Sequence, residues 1–312
     1  MSSRPIEESW LSLRYRADER AREHSLALVH HLATHLVTAP PAQRTRGRSR
    51  SSAAQSGPSI SVVDVGAGTG ANQRWLGPRL DDALGQVSSQ DWHLLDHDAA
   101  LLRAVEDLTP SWLHSSTRHT GSVATVGELV RTTGSPRLVT CSALLDLLTP
   151  SQIEDLVAST VAHADAALWS LSVTGEVAFA PAYPEDALLV DRFNADQQRA
   201  ESTPTGTHTL AGPVGWQHAV GAFERRGWRV QTAATPWVLG AGDEPLTRRL
   251  LTERAGAARL VSEDPDDERV IGRWLDRRLQ DAERGRLEIR IDHTDVLALP
   301  VKSISEQTSS PS

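Results

Sequence analysis

Three glycines follow an aspartate in the segment Ser61–Gly70, which reads Ser-Val-Val-Asp-Val-Gly-Ala-Gly-Thr-Gly. The apolar first half predicts a strand, and the glycines come at its carboxyl end, directly before a helix predicted over Ala71–Leu80. Because Gly66, Gly68 and Gly70 lack a Cβ atom, the turn can be tight and a ligand can approach the backbone closely. This order of strand, glycine turn and helix indicates a nucleoside or nucleotide site.

A second acidic position follows the next predicted strand, Trp92–Asp96. Asp96 comes 26 residues after Gly70, near the separation of about 20 residues expected for an acid that binds ribose hydroxyls. One carboxylate at a strand end can hold both hydroxyls. Asp98 is suited to cap a helix starting at Ala99, because a carboxylate there accepts backbone N–H donors. The spacing predicts a nucleoside-containing ligand without identifying which one.

The glycines leave two cofactor classes open. With Ala71, the turn also matches Gly-x-Gly-x-x-Ala, a form of the dinucleotide fingerprint. If the protein were a nicotinamide-dependent oxidoreductase, we would expect a tyrosine–lysine or similar catalytic pair. Lys302, however, is the only lysine and lies in the tail. Asp64, two residues before Gly66, instead favours a second class of nucleoside-containing cofactor, because it belongs to the motif described next.

The segment Val62–Gly70 with Asp64 resembles motif I of the class I S-adenosylmethionine-dependent methyltransferases. In that family the acid contacts the positively charged methionine end of the cofactor, often through water or backbone groups, and the resemblance implies this role for Asp64. It also implies that Asp96 binds the ribose and that His97 lies beside the adenine, with S-adenosyl-L-methionine as the cofactor. The residues that the resemblance assigns to the first motif are Asp64, Gly66, Ala67, Gly68 and Gly70.

The resemblance covers about Ile60–Val173, and its later motifs match unequally. The third motif usually offers an acid with a small neighbour, whereas His119–Val126 offers Ser122 as the adenine contact. The fourth is closer, since Arg137–Leu148 predicts a strand followed by a helix. Two residues there, Ser142 and Ala143, are expected beneath the transferable methyl group. Related enzymes often close an N-terminal helix over the carboxylate of the cofactor, which implies that role for Arg14.

Methyl transfer is an in-line displacement at a sulfonium carbon, so the enzyme aligns the acceptor and removes its proton where it has one. Asp146, after the fourth strand, is a candidate base. The alternative is that Asp146 is a buried acid at a helix start whose carboxylate accepts hydrogen bonds from backbone N–H groups. Tyr183 is a candidate lid residue, with a packed aromatic as the alternative. His208 and His293 are further candidates. No metal is expected.

The segment Asp191–Arg199 predicts a helix with Asn194 and Gln197 on one face, at i and i+3. That polar face is a candidate acceptor-binding surface, and a solvated surface helix is the alternative.

Apolar runs alternate with helical stretches from Ile60 onward, which predicts an α/β fold. We expect a Rossmann-like, doubly wound, mostly parallel seven-stranded sheet with helices on both faces and an N-terminal helical extension. The predicted parts are a helical cap (1–38), a flexible linker (39–59), a methyltransferase domain (60–300) with an acceptor-side insertion at about 174–213, and a disordered tail (301–312).

Composition restricts the function further. The net charge of −8 argues against a nucleic-acid partner, because phosphate binding relies on clustered Lys and Arg. No apolar run has membrane-spanning length, and Cys141, the only cysteine, fits a cytoplasmic location. We expect a methyltransferase for a small-molecule O, N or C acceptor. A methyltransferase-like nucleoside-binding protein with a structural or regulatory role stays open, as does the oligomeric state.

Overall fold

The structure is a computed structural model that describes residues 7–38, 59–86, 89–203, 206–262 and 264–301. Apart from Ser59 and Val301, the predicted linker (39–59) and tail (301–312) lie outside the described residues. Within the described ranges, no helix is both long enough and apolar enough to cross a membrane.

The strands form one large sheet and one small hairpin. In chain order they are β1 (Ser59–Val65), β2 (Ser89–Asp96), β3 (Leu113–Thr120), β4 (Arg137–Ser142), β5 (Ala166–Ala180), β6 (Ala200–Thr203), β7 (Gly206–Thr209), β8 (Trp228–Ala234), β9 (Trp237–Leu239) and β10 (Glu288–Pro300).

Ten α-helices complete the described chain. They are α1 (Glu8–Arg22), α2 (Leu26–Thr38), α3 (Ala71–Ala83), α4 (Ala99–Arg103), α5 (Val126–Thr132), α6 (Pro150–His163), α7 (Asp186–Gln197), α8 (Gly215–Arg225), α9 (Glu244–Val261) and α10 (Pro265–Glu283).

The large sheet has the strand order β3-β2-β1-β4-β5-β10-β8, and β9 pairs with β10. The five strands β1 to β5 pair in parallel, whereas β10 runs antiparallel to β5, β8 and β9. The predicted α/β, mostly parallel sheet is therefore confirmed. Its order reverses between β1 and β4, and open α/β sheets bind ligands outside the carboxyl ends of the strands at such a point.

The main path of the sheet has seven strands, and the short β9, which pairs with β10 off this path, brings the total to eight. The sequence pattern missed β3. This edge strand, Leu-His-Ser-Ser-Thr-Arg-His-Thr, is largely exposed and has no apolar face, so it lacks the alternation that marks a half-buried strand.

Alternate residues of β1 face opposite sides of the sheet, as the two-residue period of a strand requires. Val62 packs with Leu32 of α2 and Trp75 of α3. Val63 packs on the other side with Val130 of α5 and Leu156 of α6. Each fully buried side chain of this size contributes about 1.5–3 kcal/mol. Both faces of the sheet are therefore covered by helices, which leaves the carboxyl ends of the strands open to a ligand.

A third apolar cluster lies beyond the sheet's central strands. It joins the far half of β5 to α9, α10, β9 and β10, and its largest members include Phe179, Trp237, Trp274, Leu251 and Ile289. Ala17 and Ala21 of α1 belong to the same cluster. The N-terminal extension is thereby attached to the C-terminal part of the chain.

Local signals set the helix starts near the strand ends. Asp98 accepts a hydrogen bond from the Ala100 amide at 2.7 Å, which confirms its predicted role as the cap of α4. At α6, Thr149 and Gln152 form a reciprocal capping box in front of Pro150, an arrangement that satisfies backbone donors at a helix start.

Candidate functional site

A cavity of about 970 Å³ opens at the carboxyl ends of the central strands. Its floor is formed by the turns after β1, β2 and β4, and α1 forms its roof. It then continues over β5 and β10 to residues of α7, α9 and β9. It therefore lies where the strand order reverses.

The turn after β1 requires glycine. Gly66 and Gly68 have φ angles of +69° and +53°, a region that strains residues with a Cβ atom. A Cβ at Gly66 would come within 2.9 Å of Leu144, and one at Gly68 within 3.2 Å of Leu11 on α1. Gly66, Ala67 and Gly68 line the cavity, whereas Gly70, the N-cap residue of α3, does not. The backbone of this turn therefore forms part of the cavity wall.

Asp96 joins this turn to the end of β2. Its Oδ2 accepts a hydrogen bond from the Gly68 amide at 2.8 Å, and its Oδ1 accepts one from the Asp98 amide at 2.9 Å. The side chain is 5% exposed and lines the cavity beside His97. A carboxylate has about four lone-pair sites, so Asp96 can also accept from hydroxyl groups of a ligand.

Asp64 is fully buried and does not line the cavity. Its Oδ1 accepts a hydrogen bond from Asn72 Nδ2 at 2.7 Å, and Asn72 Oδ1 accepts one from Arg22. Burial raises the pKa of Asp64 to about 7, and the Asn72 hydrogen bond and the Arg22 charge oppose that rise. Asn72 and Arg22 do line the cavity, so Asp64 reaches a ligand only through this chain of side chains.

The other predicted cofactor contacts mostly lie on the same surface. Ser122, Ser142, Ala143 and Arg14 all line the cavity. Arg14 is held by Asp18, with Nε–Oδ2 at 2.9 Å and Nη2–Oδ1 at 3.1 Å. The roof of the cavity thus carries an arginine–aspartate ion pair.

Two residues in this wall adopt strained backbone conformations. Ala143 after β4 has φ +52°, and Leu171 in β5 has φ +54°. The Ala143 amide donates to the Ser170 carbonyl at 2.9 Å, and the Leu171 amide donates to Asp295 Oδ1 at 2.7 Å. Left-handed conformations of non-glycine residues concentrate at functional sites, and both residues line the middle of this cavity.

Asp146 lies in the single helical turn that follows β4 and lines the cavity. Burial raises the pKa of its carboxyl to about 6, while a hydrogen bond from its own backbone and the charge of Arg14 act in the opposite direction. The group is therefore mostly ionised at neutral pH and close enough to its pKa to take up a proton.

Three other sequence-predicted candidates do not reach the cavity. The Tyr183 hydroxyl donates to Asp281 at 2.6 Å, and its ring packs against Arg277 and Arg278. Tyr183 thus packs as an aromatic outside the cavity, as in the alternative to the predicted lid role. Asn194 instead donates to the Gly175 carbonyl at 3.0 Å, and His208 lies on the separate β6–β7 hairpin.

Gln197 is the only member of the predicted Asn194/Gln197 pair that lines the cavity. The two side chains share one side of α7, but Asn194 is turned toward the β5 backbone by its hydrogen bond. The expectation of a shared polar surface for the acceptor is thus corrected to one residue.

The far end of the cavity contains groups that sequence reasoning did not bring together. We call it the distal half, defined by Phe193, Gln197, Trp237, Arg254 and His293. The end at the glycine turn, defined by Gly66, Gly68, Asp96 and Ser122, is the glycine half. The distal residues come from α7, β9, α9 and β10. Nothing in the local sequence around Phe193, Trp237 or Arg254 signals that they meet.

His293 lies at an irregularity in β10, where the pairing register with β5 shifts between Ile291 and His293. Bulges of this kind redirect side chains and are frequent beside active sites. Its Nδ1 lies 3.1 Å from the Ile291 carbonyl, so Nδ1 carries the proton and Nε2 is free to accept one. Burial, together with the charges of Arg14 and Arg254, lowers the pKa of His293 to about 3. The imidazole is neutral at physiological pH.

In the described part of the chain, no group of three or more His, Cys, Asp or Glu side chains is arranged to bind a metal ion. Cys141 is buried and unpaired.

No protein-family model matches the sequence, and no curated protein matches it. Solved structures do resemble the fold. A loganic acid methyltransferase with S-adenosylhomocysteine has a TM-score of 0.48 and 13% identity, covering 97% of this chain and 99% of that one. A cyclopropane synthase from Mycobacterium tuberculosis has a TM-score of 0.40 and 13% identity, covering 78% and 79%.

A third similar structure is the magnesium protoporphyrin IX methyltransferase from Synechocystis with bound S-adenosylmethionine, with a TM-score of 0.37, 10% identity and coverage of 75% and 80%. With identities of 10–13%, these three structures show a likeness in fold alone. At these identities the likeness carries no information on the acceptor.

Proposed function

We propose that the protein transfers a methyl group from S-adenosyl-L-methionine to an O, N or C atom of a small-molecule acceptor. The observation that carries the proposal is the hydrogen bond between the Gly68 amide and Asp96. It joins a turn whose backbone conformation and close contacts favour glycine to a carboxylate suited to ribose hydroxyls, on the wall of one cavity.

The cavity fits the cofactor in size and charge. Its volume of about 970 Å³ is at the upper end of the range for small-molecule pockets, which leaves room for an acceptor as well. Asp96 lies on the wall and Asp64 lies beneath the turn. The Asp96 carboxylate on this wall disfavours a second anion beside it, such as the pyrophosphate of a dinucleotide.

In this proposal the glycine half binds the nucleoside. Asp96 accepts from the ribose hydroxyls, His97 and Ser122 flank the adenine, and Arg14 on α1 binds the carboxylate of the methionine part. Asp64 supports the site from below through Asn72 and Arg22. Ser142 and Ala143 form the wall next to the reacting carbon. Gln197 contributes to the binding of the acceptor.

The bound cofactor supplies an electrophilic methyl group. The chain must then align the acceptor and accept the proton that a hydroxyl or amine loses as the methyl is transferred. Asp146 is the better base, because its pKa of about 6 is much closer to the working pH than the pKa of about 3 for His293. His293 Nε2 is suited to accept a hydrogen bond from the acceptor.

The net charge of −8 supports a small acceptor over nucleic acid. The single cysteine supports the proposed cytoplasmic location.

Calorimetric titration with S-adenosylmethionine, S-adenosylhomocysteine and NAD⁺ tests the proposal. We expect micromolar binding of the two adenosyl ligands and at least a hundredfold loss in Asp96→Ala. Asp91→Ala is the matched control, because Asp91 lies on the same strand but pairs with Ser115 outside the cavity. Binding of NAD⁺ alone would overturn the proposal. Adenosyl binding without turnover on any acceptor would favour a structural or regulatory role.

A further inference from the structure

We infer that the acceptor carries an oxyanion, a carboxylate or phosphate group, which Arg254 binds in the distal half of the cavity. This inference rests on the proposed methyltransferase function, since it identifies the distal half as the acceptor end.

Arg254 is a buried cation without an anionic partner. It projects from α9, is 8% exposed and lines the cavity. Its Nε atom is fully buried and has no hydrogen-bond partner, and among the described residues no acid forms an ion pair with it. Burial lowers the pKa of Arg254 to about 10, so the guanidinium keeps its charge at neutral pH.

Two other buried arginines each have a side-chain partner that Arg254 lacks. Arg278 is paired with Asp186 and donates to the Pro181 carbonyl at 2.7 Å. Arg22 donates to Asn72. A buried charge is costly unless it is paired and hydrogen-bonded. The Nε atoms of Arg278 and Arg22 are also unpartnered, but Arg278 has an anionic partner and Arg22 has a side-chain acceptor. Among the described residues Arg254 has neither, which points to a group supplied by a ligand.

The groups around Arg254 leave its charge uncompensated. Its guanidinium carbon lies 4.1 Å from the centre of the Phe193 ring, which orders the guanidinium but adds no anion. Nearby His293 is neutral, and Arg14 adds a second cation that already pairs with Asp18. The indole N–H of Trp237 is also occupied, as it donates to Asp18 at 3.0 Å.

The geometry suits an oxyanion with two accepting oxygens on an apolar body. A guanidinium stacked on a ring keeps its N–H edge for a bidentate bond to a carboxylate or phosphate. Phe193, Trp237 and Leu250 supply apolar surface around that position. The inferred acceptor is thus an apolar or aromatic molecule with one oxyanion, and it presents a different atom to the methyl group.

Matched pairs of probes test the inference in protein saturated with S-adenosylhomocysteine. The probes are hydroxybenzoates and hydroxycinnamates with their carboxamides, and phenyl phosphates with the parent phenols. We expect at least one anion to bind tenfold or more tightly than its neutral partner, and which anion does so separates carboxylate from phosphate. Arg254→Gln should abolish this preference.

Arg248→Gln is the matched control, because Arg248 lies on the same helix but pairs with Glu244 and Glu283 outside the cavity. It should keep the preference for the anion. No preference in the wild-type protein, or an equal preference in Arg254→Gln, overturns the inference. Failure of S-adenosylhomocysteine to bind the wild-type protein would instead overturn the proposed function, so the two failures are distinguishable.

A stability measurement is independent of the choice of probe. Arg254→Met removes an unpaired buried charge while keeping much of the side-chain volume, so its Tm should equal or exceed that of the wild-type protein without ligand. A lower Tm would show that the arginine is structural and would contradict the inference.

Discussion

The glycine half and the distal half share one cavity but treat buried charge differently. In the glycine half, Asp96 accepts two backbone hydrogen bonds, and Asp64 is connected through Asn72 to Arg22. In the distal half, Arg254 has no acidic partner. The first half is completed by its own chain and is therefore preorganised. The second half is left for a ligand to complete.

The largest effect should come from Asp146, which lies between the two halves. If it accepts the acceptor's proton, Asp146→Asn should lower kcat by about 10²–10⁴ while leaving the affinity for S-adenosylhomocysteine unchanged. The wild-type rate should fall at acidic pH as Asp146 becomes protonated, with a midpoint near its pKa of about 6. Single-turnover kinetics across pH check both. An unchanged kcat would exclude Asp146 as the base.

A smaller loss is expected from the turn of the glycine half. Gly66→Ala places a Cβ within 2.9 Å of Leu144 at φ +69°, which should weaken S-adenosylhomocysteine binding by at least tenfold and destabilise the fold by about 1–2 kcal/mol. The control is Gly256→Ala in α9, which meets nothing within 4 Å and should be neutral or stabilising. Equal binding by both variants would contradict a preorganised turn.

The buried Asp64 should make the stability of the protein depend on pH. Asp64 has a raised pKa of about 7, so the folded protein binds more protons than the unfolded chain between about pH 4 and pH 7, and this contribution to stability falls as pH rises. Asp64→Asn cannot ionise. Between pH 4.5 and pH 8, the free energy of unfolding of Asp64→Asn should therefore rise, relative to that of the wild-type protein, by on the order of 2–4 kcal/mol. Denaturant unfolding at both pH values measures the difference, and a parallel pH dependence in the two proteins would contradict it.

The smallest expected effect is on the titration of His293. The charge of Arg254 is one of the influences that lower its pKa to about 3, so Arg254→Gln should raise that pKa, and an oxyanion bound to the wild-type protein should do the same. NMR of the imidazole carbons provides the measurement. An unaltered titration in Arg254→Gln would mean that the two side chains are not electrostatically coupled.

The glycine half could be predicted from the sequence because its residues are local to strand ends. Gly66, Gly68 and Asp96 follow the apolar runs of β1 and β2, and the parallel pairing of these strands brings their carboxyl ends together. Asp98 as a helix cap followed from the same local chemistry. Asn72 was not predicted as a site residue, although it lies two residues after Gly70, because its partner Arg22 is far away in the sequence.

The distal half could not be predicted in the same way. Its residues come from α7, β9, α9 and β10, and only tertiary packing brings these elements over the sheet. Arg254 belongs to an arginine-rich helix in which Arg248 and Arg249 form ordinary surface ion pairs. Its sequence gives no sign that one arginine points inward. Tyr183 is the reverse case, since the Pro-flanked tyrosine suggested a lid, whereas its hydroxyl donates to Asp281 in α10.

The most direct test of the central claim is a crystal structure of the protein with S-adenosylhomocysteine. We predict that the ribose hydroxyls contact the carboxylate of Asp96, that the adenine lies beside Ser122, and that the amino-acid end points toward Arg14 beneath α1. The cavity around Arg254 should remain open for the acceptor. A ligand bound elsewhere, or bound with its ribose away from Asp96, would contradict the account.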